Sequence, residues 1–373
     1  MEVLLENFSY ITWQMIVMWA IGGALIYLAI AKEMEPTLLL PMGFGAILVN
    51  LPVAIPDTGV QHVLNTLFSI GIEGAELFPL MLFIGIGALI DFTPLLTNPK
   101  LMIFGAAAQF GIFFTLSMAS IFFPDAMDAA SIAIIGAADG PTSIFVATEL
   151  GSKYLGAIMV AAYSYMALVP LVQPPIIKLC TTKAERKIKM QYKGKPVSKL
   201  TKILFPIVVT IIVGLVAPDA VALIGFLMFG NLIRECGVLS SLSETAQNAL
   251  ANLITIFLGI TIASQMKAAS FLQLDTLIII DLGLVAFVFD TFGGIMVAKL
   301  MNLFCKEKIN PMIGAAGISA FPMSARVVHK MGLEEDNQNF LLMHSIGVNV
   351  SGQIASVIAG GLILALVKAM VGG

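Results

Sequence analysis

The chain has 373 residues, of which 58% are hydrophobic and only 12% charged, and its mean hydropathy is +0.97. That composition excludes an ordinary soluble globular protein and indicates a polytopic membrane protein of the all-α class. The net charge of -3 says little by itself, and no stretch interleaves aromatics with base-reading side chains, so nucleic acid is not indicated.

The N-terminal MEVLLENFSYITW carries Glu2 and Glu6 and lacks a basic start and a small-residue cleavage site. The apolar run after it, Trp13 to Ala31, is therefore expected to be a retained helix. Further runs follow at Leu38 to Ile55, Leu101 to Phe123, Tyr154 to Ile177, Ile203 to Ala217, Leu253 to Ala263, Leu277 to Phe289 and Ile354 to Val367. Several reach the roughly 20 residues that a spanning helix needs, and the shorter ones suggest broken or re-entrant helices. Glu73 and Glu76 precede the run Leu77 to Ile90 and fit a helix start, where acids complement the dipole.

Residues 134 to 145 read IIGAADGPTSIF and set Asp139 against a Gly-Pro break inside lipid-compatible sequence. A charge near the bilayer centre costs about 3 kcal/mol on insertion scales, so such a residue is functional by default. The next helix carries Tyr163 and Tyr165 on different faces, and a buried Tyr165 hydroxyl needs a partner such as Asp139. An interfacial-belt role for Tyr165 is the alternative.

Nine of the twenty basic residues fall between Lys178 and Lys202, among them Lys193 and Lys195, against the single acid Glu185. By the positive-inside rule this loop, residues 178–202, faces the cytoplasm, either purely as a topology determinant or also as a dock for an acidic partner or lipid headgroups. It divides a single transmembrane domain, 1–373, into halves 1–177 and 203–373. Asp281 and Asp290 lie nine residues apart and face opposite sides of a continuous helix, although the TFGG after Asp290 suggests a break there. Asn310 to Arg326, NPMIGAAGISAFPMSAR, holds two prolines and a small-residue centre and reads as a re-entrant half-helix ending at Arg326. Residues 347–361, GVNVSGQIASVIAGG, read as a second broken helix, with Asn349 the counterpart of Asp139. Matched breaks in two halves point to an inverted-repeat transporter, against ordinary small-residue packing as the plainer reading.

Asp139, Asn310, Ser319, Asn349 and Ser351, with carbonyls freed at the breaks, form a set of hard oxygen donors with a single negative charge, which suits Na+ better than a divalent ion. His62, His329 and His344 are scattered, and Cys180, Cys236 and Cys305 have no metal or disulfide spacing. Arg326 either snorkels to headgroups or clamps a substrate carboxylate. There is no P-loop, nucleophile elbow or dinucleotide fingerprint. These residues alone leave two functions open, an enzyme-coupled Na+ translocase subunit and a secondary Na+-coupled organic-acid symporter; the cost of burying Asp139 argues against a passive scaffold.

GAADGPTSIF, Tyr165, NPMIGAAGISAFPMSAR and GVNVSGQIASVIAGG together resemble the membrane-embedded beta subunit of the sodium-pumping biotin-dependent decarboxylases of oxaloacetate, methylmalonyl-CoA and glutaconyl-CoA. The resemblance covers nearly the whole chain. It implies a subunit that decarboxylates carboxybiotin presented by another subunit, takes up a proton and drives Na+ outward. It implies Asp139 as the essential carboxylate for Na+ and coupling, Tyr165 as the tyrosine of proton delivery, and Ser319 and Asn349 as further Na+ ligands. Arg326 matches the arginine that meets carboxybiotin, and Asn310 and Gly314 match polar and small positions toward carboxybiotin, Asn310 also toward Na+. The implied partners are a carboxyltransferase alpha subunit, a biotin carrier, a small membrane gamma or delta subunit and further copies of the chain, as a trimer, in the bacterial inner membrane. Gln265-Met266-Lys267 ends an apolar helix and does not match the turn of a biotin carrier, so no biotin is expected on this chain.

Overall fold

A computed structural model describes residues 6–52, 59–74, 76–191, 194 and 196–371. Glu2, the end of the Leu38 to Ile55 run, Lys193 and Lys195 lie outside these. Every regular element among the described residues is helical. Among the described residues seven helices are long and apolar enough to cross a membrane, or eight if one bent pair counts as a span.

The first half contains α1 (Trp13–Ala31), α2 (Pro36–Val49), α3 (Gly59–Phe68), α4 (Leu77–Leu89), α5 (Met102–Ala108) and α6 (Phe110–Phe122). α1 has the bounds expected from its apolar run, and Thr12 caps it by accepting from the Met15 amide. Glu76 precedes the first residue of α4 at φ 50°, the expected helix start. Next come α7 (Ala126–Ala133), α8 (Gly140–Glu149) and α9 (Leu155–Cys180). The second half has α10 (Lys199–Val216), α11 (Val221–Cys236), α12 (Ala251–Ala263), α13 (Leu274–Phe304), α14 (Met312–Ala315), α15 (Met323–Glu335) and α16 (Leu342–Val371). The halves interlock: α2 packs on α12 and α4 on α11, while α5 packs on α16 and α9 on α13.

Two segments enter the bundle and turn back. In the first, α7 and a 3-10 turn, Ile134–Ala137, lead to an unwound Ala138–Asp139 and then to α8. Its two feet are tied together, because Asp128 accepts from Ser152 at 2.8 Å and pairs with Lys153 at 3.2 Å. In the second, α14 and an unwound stretch, residues 316–322, lead to α15. Its feet are tied to the basic loop: Asn310 Nδ2 donates to the Arg186 and Ile188 carbonyls at 2.8 and 2.9 Å, and Arg186 pairs with Glu335 at 2.6 Å. Ser152 and Lys153 precede α9 and Arg186 follows it. α9 has 26 residues, about 39 Å at 1.5 Å per residue, so the two hairpins enter from opposite ends of that helix. Their tips touch where the Ser319 amide donates to the Ala137 carbonyl at 3.1 Å.

Four expectations are corrected. Residues 347–361 lie within the uninterrupted α16, and TFGG lies within the uninterrupted α13. The second half breaks instead at 316–322, and residues 310–326 form a helical turn, that break and the start of α15 rather than one half-helix. Arg326 accordingly sits in the first turn of α15 instead of ending a helix. Gly352 explains the first correction. A Cβ there would fall 2.0 Å from the Gly317 carbonyl oxygen, so the small residues of α16 admit the crossing backbone and leave the helix intact. Asp281 is exposed and Asp290 is 1% exposed, on opposite sides of α13 as a continuous helix requires.

Candidate functional site: a buried carboxylate where two hairpins meet

At the first tip Ala138 adopts φ 51°, left-handed backbone that costs a residue with a Cβ about 1 kcal/mol or more. Asp139 is extended at φ -124° and ψ 97°, and Pro141 lies in the first turn of α8, where no amide donor is needed. The carboxylate is 3% exposed. Three donors converge on its Oδ2: Thr142 Oγ1 at 2.7 Å, Gln353 Nε2 at 2.8 Å and Ser356 Oγ at 3.0 Å. Hydrogen bonds to an ionised acceptor are the strong ones, and together these hold the carboxylate's position. Oδ1 has no side-chain donor among the described residues.

Asp139 lines a cavity of about 210 Å³, together with Glu35, Tyr163, Ser319, Phe321 and Gln353 among others. The cavity lies between two apolar clusters, with Leu38, Leu82 and Leu258 from one and Met323 from the other. At its edge burial pushes the Glu35 carboxyl up, and the Arg326 guanidinium pulls it back. A larger cavity, about 670 Å³, lies at the basic loop between Asn98, Lys189 and Lys308. Its lining holds no buried acid, so the site is assigned to the smaller one. The Asp139 site offers one anionic oxygen free of side-chain donors, with hydroxyl and amide oxygens nearby, which can hold a small monovalent cation.

Residues 14–367 match the family described as the Na+-transporting oxaloacetate decarboxylase beta subunit. The chain is 48% identical to the methylmalonyl-CoA decarboxylase beta subunit of Propionigenium modestum, covering 94% of each chain. It is 49% identical to the glutaconyl-CoA decarboxylase beta subunit of Acidaminococcus fermentans, over 97% of this chain and 96% of that one. With the oxaloacetate decarboxylase beta chain of Klebsiella pneumoniae it shares 46% identity over 95% of each. The chain belongs to this family of Na+-transporting decarboxylase beta subunits. Membership favours the decarboxylase reading over the symporter.

Within this decarboxylase subunit the residues singled out from the sequence are not all brought together. Asp139 and Ser319 line one cavity, and Ser319 Oγ donates to the Gly352 carbonyl at 2.9 Å. Asn349 lies one turn before Gln353 on α16, where its Nδ2 donates to the Ile318 carbonyl at 2.6 Å and its buried Oδ1 has no partner among the described residues. It therefore pins the unwound stretch next to Ser319. Asn310 uses its amide on the basic loop, and Gly314 packs in α14 against Gly294 of α13. Neither lines the Asp139 cavity. Arg326 is exposed.

Tyr165 does not meet Asp139: its hydroxyl donates to the Ile280 carbonyl of α13. The tyrosine that faces the cavity is Tyr163, about 200° around α9. Gln353, Ser356 and Thr142 were also missed as Asp139 partners. A signal was available, since Asn349, Gln353 and Ser356 fall at i, i+4 and i+7 on one helical face. Asp290 is buried against the amides of Gly111 and Ile112, but among the described residues neither carboxylate oxygen closes a well-formed hydrogen bond.

Proposed function

We propose that this subunit decarboxylates carboxybiotin delivered by a biotin carrier and couples that step to outward Na+ movement through Asp139. The observation that carries the proposal is the Asp139 carboxylate, held by three donors on one oxygen where hairpins from opposite ends meet. In the reaction the bond from the ureido nitrogen to the carboxylate breaks, CO2 leaves, and a proton is added at that nitrogen. Na+ is cargo, bound at Oδ1 of Asp139 with the Ser319 hydroxyl; Thr142 and Ser356 can donate to Oδ2 while offering lone pairs to the ion. Asn349 takes part by holding the Ile318–Ser319 backbone in place.

Arg326 receives the carboxylate of carboxybiotin in the bidentate manner that suits a guanidinium; Asn310 fixes the foot of the same hairpin to the basic loop and Gly314 lets α14 pack on α13. For Tyr165 to deliver the proton, its bond to the Ile280 carbonyl must open. Coupling requires that the substrate change the Na+ affinity of Asp139 between two arrangements of the cavity walls, which come from two separate apolar clusters. The two opposed hairpins support an inverted-repeat organisation of halves 1–177 and 203–373. We place the subunit in a bacterial inner membrane, with loop 178–202 cytoplasmic, beside a carboxyltransferase alpha subunit, the carrier and a small gamma or delta subunit, as a homotrimer.

The test is co-purification with a biotinylated partner on avidin, together with CO2 release from carboxybiotin in Na+ against K+. Capture of a biotinylated protein and faster release in Na+ support the proposal. No biotinylated partner and equal rates in the two salts overturn it.

A further inference from the structure

Tyr163 has a cost that the fold alone does not explain. Its side chain is 0% exposed, and its hydroxyl has no hydrogen-bond partner among the described residues. Burying a hydroxyl without a partner is unfavourable, and phenylalanine would fill the same space without that cost. The ring is fixed by the hairpin, because a Cβ at Gly140 would fall 2.3 Å from Tyr163 Cε2. Only glycine there lets the aromatic ring press against the residue that follows Asp139. The phenol lines the same cavity as Asp139 and lies within range of its charge.

We propose that the Tyr163 hydroxyl is a Na+-positioning group of the Asp139 site: its oxygen faces the bound ion and its proton points away from it. The inference rests on the reading of Asp139 as the Na+ carboxylate. It separates the two tyrosines of α9, one directed to the ion and the other anchored on α13. A phenol oxygen is a hard neutral donor, so it completes the coordination of a monovalent cation without adding a second charge. The unfavourable burial is then offset in the Na+-bound state and uncompensated in the Na+-free state.

The test is equilibrium binding of radioactive Na+ to the purified detergent-solubilised protein, with thermal unfolding measured in Na+ and in a Na+-free choline buffer. Wild type is compared with Tyr163→Phe, Tyr165→Phe and Asp139→Asn. Tyr163→Phe is expected to weaken Na+ binding about tenfold or more, on the scale of a lost contact to a charged group, and to unfold at the wild-type temperature or higher without Na+. Tyr165→Phe is expected to keep wild-type Na+ affinity. Wild-type Na+ affinity in Tyr163→Phe overturns the inference while leaving the Asp139 reading intact. A lower Na+-free unfolding temperature in Tyr163→Phe also overturns it, because it gives the hydroxyl a purely structural role. If Asp139→Asn binds Na+ as wild type does, the Asp139 reading fails and takes this inference with it.

Discussion

The Ser319 amide donates to the Ala137 carbonyl at 3.1 Å, joining two chain reversals that start at opposite ends of α9. Each reversal leaves backbone groups without helical partners, and each satisfies part of the other's need. The contact places Ser319 beside Asp139, two residues beyond Ala137, so a movement of either hairpin shifts the carboxylate's surroundings. In the Ser319→Ala variant the backbone bond remains, but the donation to the Gly352 carbonyl at 2.9 Å is lost. A stability loss of about 1 kcal/mol is expected for one such hydrogen bond. With the hydroxyl gone from the cavity, the Na+ concentration for half-maximal turnover should also rise. Unfolding in detergent and a Na+ titration of turnover measure the two effects separately.

Gly352 makes a sharper test of the crossing. Its added Cβ would meet the Gly317 carbonyl oxygen at 2.0 Å, and the obstacle is backbone that cannot swing aside. Gly352→Ala should therefore separate α16 from the unwound stretch and cost about 1–3 kcal/mol, as overpacking typically does. Because Gln353 is the next residue, its 2.8 Å bond to Asp139 should be disturbed in the same variant. Lowered thermal stability together with lost Na+-dependent turnover is the expected result.

The sequence displayed the elements set by long-range hydrophobicity and by local chain breaking. Trp13–Ala31 could be read because an apolar run of that length has few alternatives to a spanning helix. The break at Asp139 could be read because a charge, glycine and proline coincide there. Small residues alone were ambiguous: in 347–361 they serve close packing within α16, whereas in 316–322 similar residues accompany an unwound backbone. That the two tyrosines occupy different faces of α9 follows from helical geometry, but which face meets the hairpin depends on how α8 and α13 pack around it. The same holds for Gln353 and Ser356, whose spacing was visible but whose target on another helix was not.

The foot of the second hairpin should respond to acid. Glu335 is held below its ordinary 4.5 chiefly by the Arg186 hydrogen bond. Asp336 is held below 3.8, first by the Gln338 amide and then by Lys189, which pairs with it at 3.0 Å. Both carboxyls are lowered in the folded protein, so their stabilisation is present above the ordinary values and is lost as pH falls through the lowered ones. Proteolysis within loop 178–202 should stay constant from neutral pH down to about pH 5 and increase below about pH 4. Glu335→Gln should increase cleavage already at neutral pH and reduce the further rise in acid. Similar cleavage of wild type and variant at neutral pH would show that the ion pair does not hold the loop.

Arg326 decides between a headgroup contact and a substrate clamp. It is exposed in the first turn of α15, and its charge acts on Glu35, which lines the Asp139 cavity. An arginine whose only task is to reach lipid headgroups is replaceable by lysine, since both carry a long apolar stem and a terminal charge. A bidentate clamp is not, because the ammonium lacks the planar fork. Arg326→Lys should therefore raise the half-saturating concentration of carboxylated carrier by about tenfold, a loss consistent with one charge-assisted contact. Equilibrium Na+ binding measured without carrier should stay at the wild-type value, because Arg326 lies outside the hydrogen-bonded shell of Asp139. If Arg326→Lys retains wild-type carrier saturation, the guanidinium has no part in holding the carboxylate.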